Sequence, residues 1–204
     1  PLNRAVGAAN FIFLDYVVAP LSTAHRAIFP PPVRRRIDNF TYTMAYPKRL
    51  VANAMMGELK TAGVETSRFL INGTIGIAGL FDPAEDLGLA RPDPVDVGFA
   101  LARWGWDSRV YLNLPYYGSS SIRDGTGELF NFALTPTNWV PGGFIFLGIN
   151  SQCDQVDDLL RLVRVYPDPY EAARFLWSIQ RSARIAGIEV GEGESTREET
   201  LMAM

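Results

Sequence analysis

The spacing of apolar residues predicts a mainly helical chain. Val97, Leu101 and Trp104 fall at i, i+4 and i+7, and Gly105 follows as a C-terminal stop. Equivalent stripes predict further helices, marked by Val33, Ile37 and Phe40, by Leu50, Val51, Ala54 and Met55 after Pro47, by Val156, Leu159, Leu160 and Val163, and by residues 169–186. A mainly α fold is therefore expected.

Three Asp-Pro dipeptides predict helix N-termini. They are Asp82-Pro83, Asp93-Pro94 and Asp168-Pro169, and each is followed by a second acid at the third helical position. Aspartate is a favoured N-cap, proline suits the first helical position, and an acid in the first turn meets the positive end of the helix dipole. These carboxylates are therefore expected to serve structure before chemistry.

One segment, residues 110–118, has an extended pattern. Pro115 cannot donate a ladder hydrogen bond, which makes the segment a poor central strand. The alternation of strands and helices that is typical of a parallel α/β sheet is missing, and no repeat of about 20 to 50 residues is visible. The chain is expected to form one helical domain.

Residues 68–84, RFLINGTIGIAGLFDPA, place Gly73, Gly76 and Gly79 three apart in an apolar stretch. A dinucleotide loop needs G-x-G-x-x-G after a strand, and a P-loop needs a Gly-Lys-Ser/Thr sequence. Neither pattern is present here, and the preceding residues are typical of a helix. The glycines therefore predict a close approach between helices.

Composition places the chain at the apolar end of the soluble range, with 48% hydrophobic residues. The longest apolar segments, residues 69–81 and 140–149, are shorter than the roughly 18 residues that a spanning helix needs, and both contain glycine. A simple spanning helix is therefore not expected, whereas buried or interfacial helices are. The first ten residues lack the features of a secretory signal, so any such signal is expected to have been removed or never to have been present.

The net charge of −3 argues against a nucleic-acid-binding protein that relies on a general basic field. Arg34, Arg35 and Arg36, close to Lys48 and Arg49, form the densest basic region. Their ordinary interpretation is a solvated helix face, and the alternative is attraction to anionic lipid headgroups.

Candidate catalytic and metal-binding residues are sparse. Cys153 is the only cysteine, which excludes an internal disulfide and a cysteine-based zinc site, and no cofactor or metal is expected. Ser119, Ser120 and Ser121 raise the alternative of a serine hydrolase, but G-x-S-x-G is absent and His25 is the only histidine. The neighbouring Arg123 and Asp124 are better explained as a charged pair that caps a helix or orders the turn.

Five sequence blocks, in the same order, resemble the MlaA (VacJ) family of outer-membrane lipoproteins. The first, from Asn3-Arg4 to Leu21, is similar to the family's aromatic-rich first helix, and the last, residues 168–184, to its late helix. The blocks between them match the family at Asn39, Phe40, Pro47, Asn53 and Gly57, at Arg68, Phe69, Asn72, Gly76, Gly79, Asp82 and Ala84, and at Leu114, Pro115, Gly118, Arg123, Asp124 and Gly127.

The resemblance implies a ring of mostly horizontal amphipathic helices, embedded in the periplasmic leaflet of the outer membrane of a Gram-negative bacterium, around a central amphipathic channel. It implies removal of mislocalised phospholipids from the outer leaflet and their transfer to a soluble periplasmic lipid carrier, beside trimeric porins. It also implies a lipid-bearing cysteine near the mature N-terminus, which Cys153 cannot supply. A protein of this kind breaks no bond, so no catalytic residue is expected.

The same resemblance assigns candidate site residues. The channel gate would consist of Tyr111, Leu114, Pro115, Tyr116, Tyr117 and Gly118. Packing of a tight turn is the alternative interpretation of these residues. Supporting roles, including placement of the helices and of the gate, would fall to Asn39, Phe40, Arg68, Asn72, Gly76, Gly79, Asp82, Arg123 and Asp124.

The predicted family domain covers residues 1–187, and residues 140–156 diverge from the family pattern within it. Residues 188–204 form an acidic tail that is expected to be disordered or to bind a partner. These two segments are the basis of a further alternative, a structural or partner-binding subunit with the same fold that does not move lipid.

Overall fold

The computed structural model describes residues 2–108 and 110–186, with only the backbone at residues 162 and 163. The predicted tail, residues 188–204, lies outside the described residues, as does Gly187. The mainly α prediction is confirmed. In chain order, the elements are α1 (Leu2–Phe13), a π-helical segment (Leu14–Val18), α2 (Ala19–Ile28), α3 (Pro31–Met44), α4 (Tyr46–Met56), α5 (Leu59–Thr74), α6 (Pro83–Asp86), α7 (Val97–Arg103), β1 (Tyr111–Leu114), β2 (Gly118–Ser121), α8 (Ile122–Ala133), a 3₁₀ segment (Pro136–Trp139), α9 (Gly143–Gln152), α10 (Val156–Val165) and α11 (Pro169–Ile185).

The N-terminal helix corrects one expectation from the sequence. The elements α1 and α2 join through the π-helical segment into a continuous helix of 27 residues, Leu2–Ile28, which is long and apolar enough to cross a membrane. The polar residues Asn10 and Asp15 interrupt the apolar run, so no uninterrupted apolar segment marks this helix in the sequence. Its length and composition are sufficient for a membrane-spanning helix, and most of its residues are exposed.

Two of the three predicted caps are confirmed. The Asp82 side chain accepts a hydrogen bond from the Glu85 backbone N–H, and the Asp168 side chain accepts from the two amides that begin α11. The third prediction is wrong, because α7 begins at Val97 and its cap is Asp96, not Asp93. Gly105 follows the end of α7 with φ +88°, as expected for a stop.

The glycine-rich stretch also differs from its prediction. Helix α5 ends at Thr74, so Gly76 and Gly79 lie in the turns that follow, and only Gly73 is helical. A Cβ at Gly76 would lie 2.5 Å from the Asn72 carbonyl oxygen, whereas nothing lies within 4 Å at Gly73. The close approach is therefore made by a tight turn rather than by two helices packed along a glycine stripe.

The extended segment forms the first strand of a hairpin. Strands β1 and β2 pair antiparallel from Tyr111↔Ser121 to Leu114↔Gly118. Pro115 lies in the turn, where its missing N–H costs no ladder bond. The second strand, Gly-Ser-Ser-Ser, carries no apolar alternation, and the sequence therefore did not predict it.

The contacts between elements form a closed circuit. From α1 the circuit passes to β1, then through α8, α7 and α4 to α3. It continues from α3 to α9 and from α9 to α2, which is continuous with α1. A ring of helices requires such a circuit.

Burial is inverted relative to a water-soluble protein. The largest side chains that are fully buried include Arg68, Glu65 and Asn53, while most of the buried apolar residues are alanine or other small residues. Water-soluble proteins bury their large apolar side chains and rarely bury charged ones. The surface carries many large apolar side chains, among them Leu2, Ile12, Tyr16, Ile28, Leu59, Leu70, Ile75, Leu87, Trp104, Leu129, Trp139 and Val165.

Candidate functional site

Two asparagines on one face of α1 hold the hairpin. Asn3 donates to the Tyr111 carbonyl at 2.7 Å and accepts from the Asn113 backbone N–H at 3.3 Å. Asn10, two helical turns further on, donates to the Leu114 carbonyl and to the Asn113 side chain, both at 2.9 Å. These bonds join α1 to β1 from the first residue of the strand to the last. We call Asn3, Gly7 and Asn10 the hairpin clamp.

Gly7 completes the hairpin clamp by letting the strand approach the helix. A Cβ at this position would lie 2.8 Å from the Asn113 side-chain nitrogen and 3.1 Å from the Tyr170 ring. The sequence contains a signal for this clamp, because polar residues at i and i+7 with a small residue between them mark one helix face. The resemblance gives Asn10 no role, and Asn10 is therefore not among the predicted site residues.

The tip of the hairpin carries an aromatic cluster. Tyr116 lies 4.9 Å from Phe144 and 5.9 Å from Phe13, measured between ring centroids, so it contacts both α9 and α1. Its φ of +71° is rare for a residue with a side chain, and Gly118 has φ +78°. Tyr116 and Tyr117 are nonetheless exposed. The tip is therefore held by ring contacts and by backbone geometry rather than by burial.

The predicted gate residues all belong to this hairpin, but they lie at its two opposite ends. Tyr111 begins β1, and its hydroxyl hydrogen-bonds the Ser119 hydroxyl at 2.8 Å. Burial raises the pKa of the Tyr111 hydroxyl above its ordinary value. Leu114, Pro115, Tyr116, Tyr117 and Gly118 form the far end of β1, the turn and the start of β2.

Removing the Asn10 side chain should loosen the tip selectively. The side-chain oxygen of Asn10 accepts a hydrogen bond from the Tyr116 backbone N–H at 3.0 Å. Loss of one such bond, worth about 1 kcal/mol net, should speed hydrogen exchange at Tyr116 by roughly five- to tenfold in Asn10→Ala. Thr74→Ala removes an exposed side-chain hydrogen bond on α5 and should leave that amide protected. Unchanged exchange at Tyr116 in Asn10→Ala would show that the clamp does not order the tip.

A second group of predicted residues forms a buried charge network around Asp82. Its carboxylate accepts two bonds from Arg68 at 2.6 and 2.8 Å, one from Asn72 at 2.7 Å and two from Arg91 at 2.7 and 2.9 Å. Burial alone would raise the pKa of Asp82, but the hydrogen bonds from Arg91 and Asn72 and the charge of Arg68 outweigh it and hold that pKa below its ordinary value. The network joins α5 to α6 and to the segment before α7.

The network extends to α3. Asn39 is buried, accepts from Arg91 at 2.6 Å and donates to the Leu80 carbonyl at 3.3 Å. Gly79, with φ +89°, lies against Thr43 of α3, where a Cβ would approach to 2.5 Å. The neighbouring Phe40 is half-buried on α3. The supporting residues of the first half of the chain therefore fix the turn after α5 against α3.

Arg123 and Asp124 belong to a different network at the start of α8. Arg123 donates to the Asp124 carboxylate at 3.0 Å, and Arg181 of α11 donates to Asp124 at 2.8 Å and to Asp96 at 3.1 Å. Ser121 caps α8 by accepting from the Asp124 backbone N–H. Asp124 and Arg181 thus join α8 to α11 and, through Asp96, to α7.

The three consecutive arginines of α3 have different surroundings. Arg34 pairs with Asp154 and also donates to the Cys153 sulfur at 3.2 Å, so its guanidinium is occupied inside the protein. This contact argues against Arg34 as a headgroup ligand. Arg35 is exposed, and Arg36, also exposed, lies over the Phe81 ring at 4.2 Å.

The geometry of a serine hydrolase is not assembled. The ring of His25 hydrogen-bonds Asn150 at 2.8 Å, and the imidazole packs against Phe29. The Ser119 hydroxyl contacts Tyr111, and that of Ser121 contacts Asp124 at 3.1 Å. The histidine that a triad would need is therefore used to join α2 to α9.

Charged groups in the interior and large apolar side chains at the surface define the class of this protein. Every charged group of the two networks described above has a partner, which lowers the cost of its burial. The exposed apolar surface is unfavourable in water and favourable against hydrocarbon. The chain is thus an α-helical protein whose surface suits a lipid environment.

Comparison with known proteins identifies the family. The sequence model described as "MlaA lipoprotein" matches residues 1–184. The Escherichia coli (strain K12) "Intermembrane phospholipid transport system lipoprotein MlaA" is 31% identical over 183 residues, which cover 84% of this chain and 71% of that protein. The Haemophilus influenzae protein of the same name is 26% identical over 176 residues, covering 82% of this chain and 70% of that protein. The chain belongs to the MlaA lipoprotein family.

A solved structure supports the same conclusion. It is described as "Structural basis for maintenance of bacterial outer membrane lipid asymmetry", and it matches with a TM-score of 0.75 and 28% sequence identity. The match covers 91% of this chain and 98% of that chain. An uncharacterised protein of Rickettsia prowazekii is also similar, at 31% identity over 198 residues, which cover 93% of this chain and 77% of that protein.

Proposed function

We propose that this protein removes mislocalised phospholipids from the outer leaflet of the outer membrane and passes them to a soluble periplasmic lipid carrier. The observation that carries the proposal is the inverted burial, with Arg68 and Glu65 enclosed while large apolar side chains cover the surface. A phospholipid also has a polar and an apolar part. Its headgroup needs polar partners, and its acyl chains need an apolar environment. Membership of a family whose relatives are named for intermembrane phospholipid transport supports it.

The proposed site of action is an amphipathic channel within the circuit of helices, in the periplasmic leaflet. The 27-residue N-terminal helix exposes apolar side chains that suit the hydrocarbon, including Ile12 and Leu21. The proposed unit comprises residues 1–187, held to the membrane by a lipid anchor and located beside trimeric porins. Arg35 and Arg36 remain candidates for attraction to anionic headgroups, at about 1 kcal/mol each near a charged surface.

The hairpin is the proposed gate. It is attached to α1 by the hairpin clamp and to α9 by the ring of Tyr116, so its tip bridges two parts of the circuit. Exposed aromatic rings at the tip provide apolar surface with a polar edge, which suits contact with a lipid at the interface. A change in the tip would therefore change lipid passage without unfolding the helices.

Purification tests the proposal directly. The protein extracted in mild detergent should retain phospholipid, detected by mass spectrometry of the purified sample, and should carry porin. An unrelated membrane protein purified from the same extract measures the background. Phospholipid at the background level would favour a structural subunit, and release of fatty acid from added phospholipid would favour a hydrolase.

Two glycine variants distinguish an effect on the proposed gate from a general effect on stability. Gly118 and Gly57 both have positive φ, +78° and +75°, and nothing lies within 4 Å of a Cβ built on either residue. Alanine at either position should therefore cost about 1–2 kcal/mol of backbone strain. We expect Gly118→Ala to raise outer-leaflet phospholipid in cells and Gly57→Ala to leave it at the wild-type level. Surface aminophospholipid can be labelled with an impermeant amine reagent to measure this. Equal behaviour of the two variants would remove the gate assignment.

A further inference from the structure

A cavity of about 540 Å³ opens at the base of the hairpin, between β1, α11 and the segment that follows α7. This volume lies within the range of roughly 300–1,000 Å³ that is typical of small-molecule sites. Tyr111, the first residue of β1, forms part of its wall, so the cavity and the hairpin share a residue. The tip with Tyr116 and Tyr117 lies at the opposite end of the hairpin.

One face of α11 supplies much of the wall. Positions i, i+3, i+4, i+7 and i+8 of this face are Arg174, Trp177, Ser178, Arg181 and Ser182. A face at this spacing that packed only against other helices would be apolar. Here basic, aromatic and hydroxyl side chains alternate along it, which is typical of a site that binds a ligand with both a charged and an apolar part.

The charges of the cavity favour an anion. The described residues of the wall include Arg123, Arg174, Arg181 and Asp107. Arg123 and Arg181 are already paired with aspartates outside the wall, so the charge of Arg174 is the least compensated of the three arginines. Arg181 is held from behind by Asp96 and Asp124, yet its Nε–H is buried without a hydrogen-bond partner in the described part of the chain. A buried donor of this kind calls for an acceptor.

Arg174 is the guanidinium best placed to move toward a ligand. Its side chain is 54% exposed, and its ion pair with Glu171 is long, at 3.7 Å. Its guanidinium carbon lies 5.8 Å from the centroid of the Tyr111 ring, at the edge of the cavity. An exposed pair with this geometry contributes little to stability, so Arg174 can exchange partners at small cost.

We propose that this cavity binds an organic phosphate, with the Arg174 guanidinium and the Arg181 Nε–H as donors to the phosphate group and Trp106 and Trp177 against the carbon skeleton. The planar guanidinium fork matches the geometry of phosphate oxygens, and indole rings supply flat apolar area. The phosphate can belong to a lipid headgroup or to a free glycerophosphate. In the first case this inference rests on the proposed function and locates the part of the protein that holds the headgroup.

Calorimetric titration of the purified full chain in a nonionic detergent tests the proposal. The probes are glycerol 3-phosphate, dihexanoylphosphatidic acid, and dihexanoylglycerol, which lacks the phosphate. Binding of the phosphatidic acid alone identifies a lipid headgroup, and binding of glycerol 3-phosphate with equal affinity identifies a free phosphate. Binding of dihexanoylglycerol as tightly as the phosphatidic acid, or binding of neither phosphate compound, would overturn the proposal.

A matched pair of variants assigns the site. Arg174→Gln should weaken binding by about tenfold, the loss expected for one hydrogen-bonded charged partner. Arg161→Gln removes an equally charged side chain that is 81% exposed on α10, and it should bind as the wild type does. Equal affinities for Arg174→Gln and wild type would refute the assignment. Failure here would leave the Gly118 and Gly57 comparison intact, because that comparison measures phospholipid in cells.

Discussion

Asp82→Asn is expected to lower the free energy of unfolding by about 3–5 kcal/mol, the loss that follows when one partner of a buried ion pair is removed. The Arg68 side chain has 0% exposure and the Asp82 side chain 9%, so the remaining guanidinium cannot recover its hydration. Arg91 loses the same partner. Thermal unfolding in detergent, followed by circular dichroism, should show a midpoint roughly 10 °C lower.

An exposed ion pair provides the control for this prediction. Asp158 and Arg161 are 80% and 81% exposed at a separation of 3.7 Å. Asp158→Asn should change the free energy of unfolding by less than about 0.5 kcal/mol. Similar losses for the two variants would show that the Asp82 network does not stabilise the fold as a buried unit.

The same network predicts a pH dependence. Because the folded-state pKa of Asp82 is below its ordinary value, near 3.9, the stabilisation by its carboxylate is present above that ordinary pKa. It is lost as the pH falls through the lower, folded-state value. The difference in stability between wild type and Asp82→Asn should therefore shrink on acidification below about pH 4.

Gly127→Ala is the second change with a large expected effect. A Cβ at this position would lie 2.3 Å from the Gly98 nitrogen and 2.6 Å from the Gly98 Cα. These are backbone atoms of α7, which cannot rotate away as a side chain can, so α7 and α8 would have to separate. Overpacking commonly costs about 1–3 kcal/mol, and we expect a loss at or above the upper end of that range. The free energy of unfolding in detergent checks it.

A second helical glycine gives the opposite expectation. Gly63 lies inside α5, and nothing lies within 4 Å of a Cβ built there. Gly63→Ala should stabilise the protein by up to about 1 kcal/mol, because alanine is the better helix former. If Gly127→Ala were also neutral or stabilising, the close crossing of α7 and α8 would be wrong.

The sequence predicted those elements whose causes are local. Apolar spacing and Asp-Pro caps located α3, α4, α10 and α11, because each signal lies within the helix that it predicts. The same local rule failed at α7, where Asp93 and Asp96 both precede the helix. Asp96, the residue that caps α7, also accepts a hydrogen bond from Arg181, which lies 85 residues away in the sequence. No local pattern reveals this contact.

The candidate site was predicted in part. The resemblance selected the candidate gate residues and, separately, Arg68, Asn72 and Asp82. In the structure the second group meets at the Asp82 carboxylate, whereas the candidate gate residues lie at the two ends of the hairpin. Arg91 and Arg181 are not among the predicted site residues, because the sequence does not distinguish a single arginine with a buried partner from an ordinary surface arginine. The predicted packing of helices along the glycine stretch is wrong, because the spacing of the glycines does not reveal that α5 ends at Thr74.

We propose that this protein itself removes phospholipid from the outer leaflet. The most direct measurement is the amount of surface-labelled aminophospholipid in cells without the gene, before and after the wild-type chain is restored. Deletion should raise that amount, and the restored chain should return it to the original level. An unchanged amount on deletion, or a raised amount that the restored chain does not lower, would contradict the account.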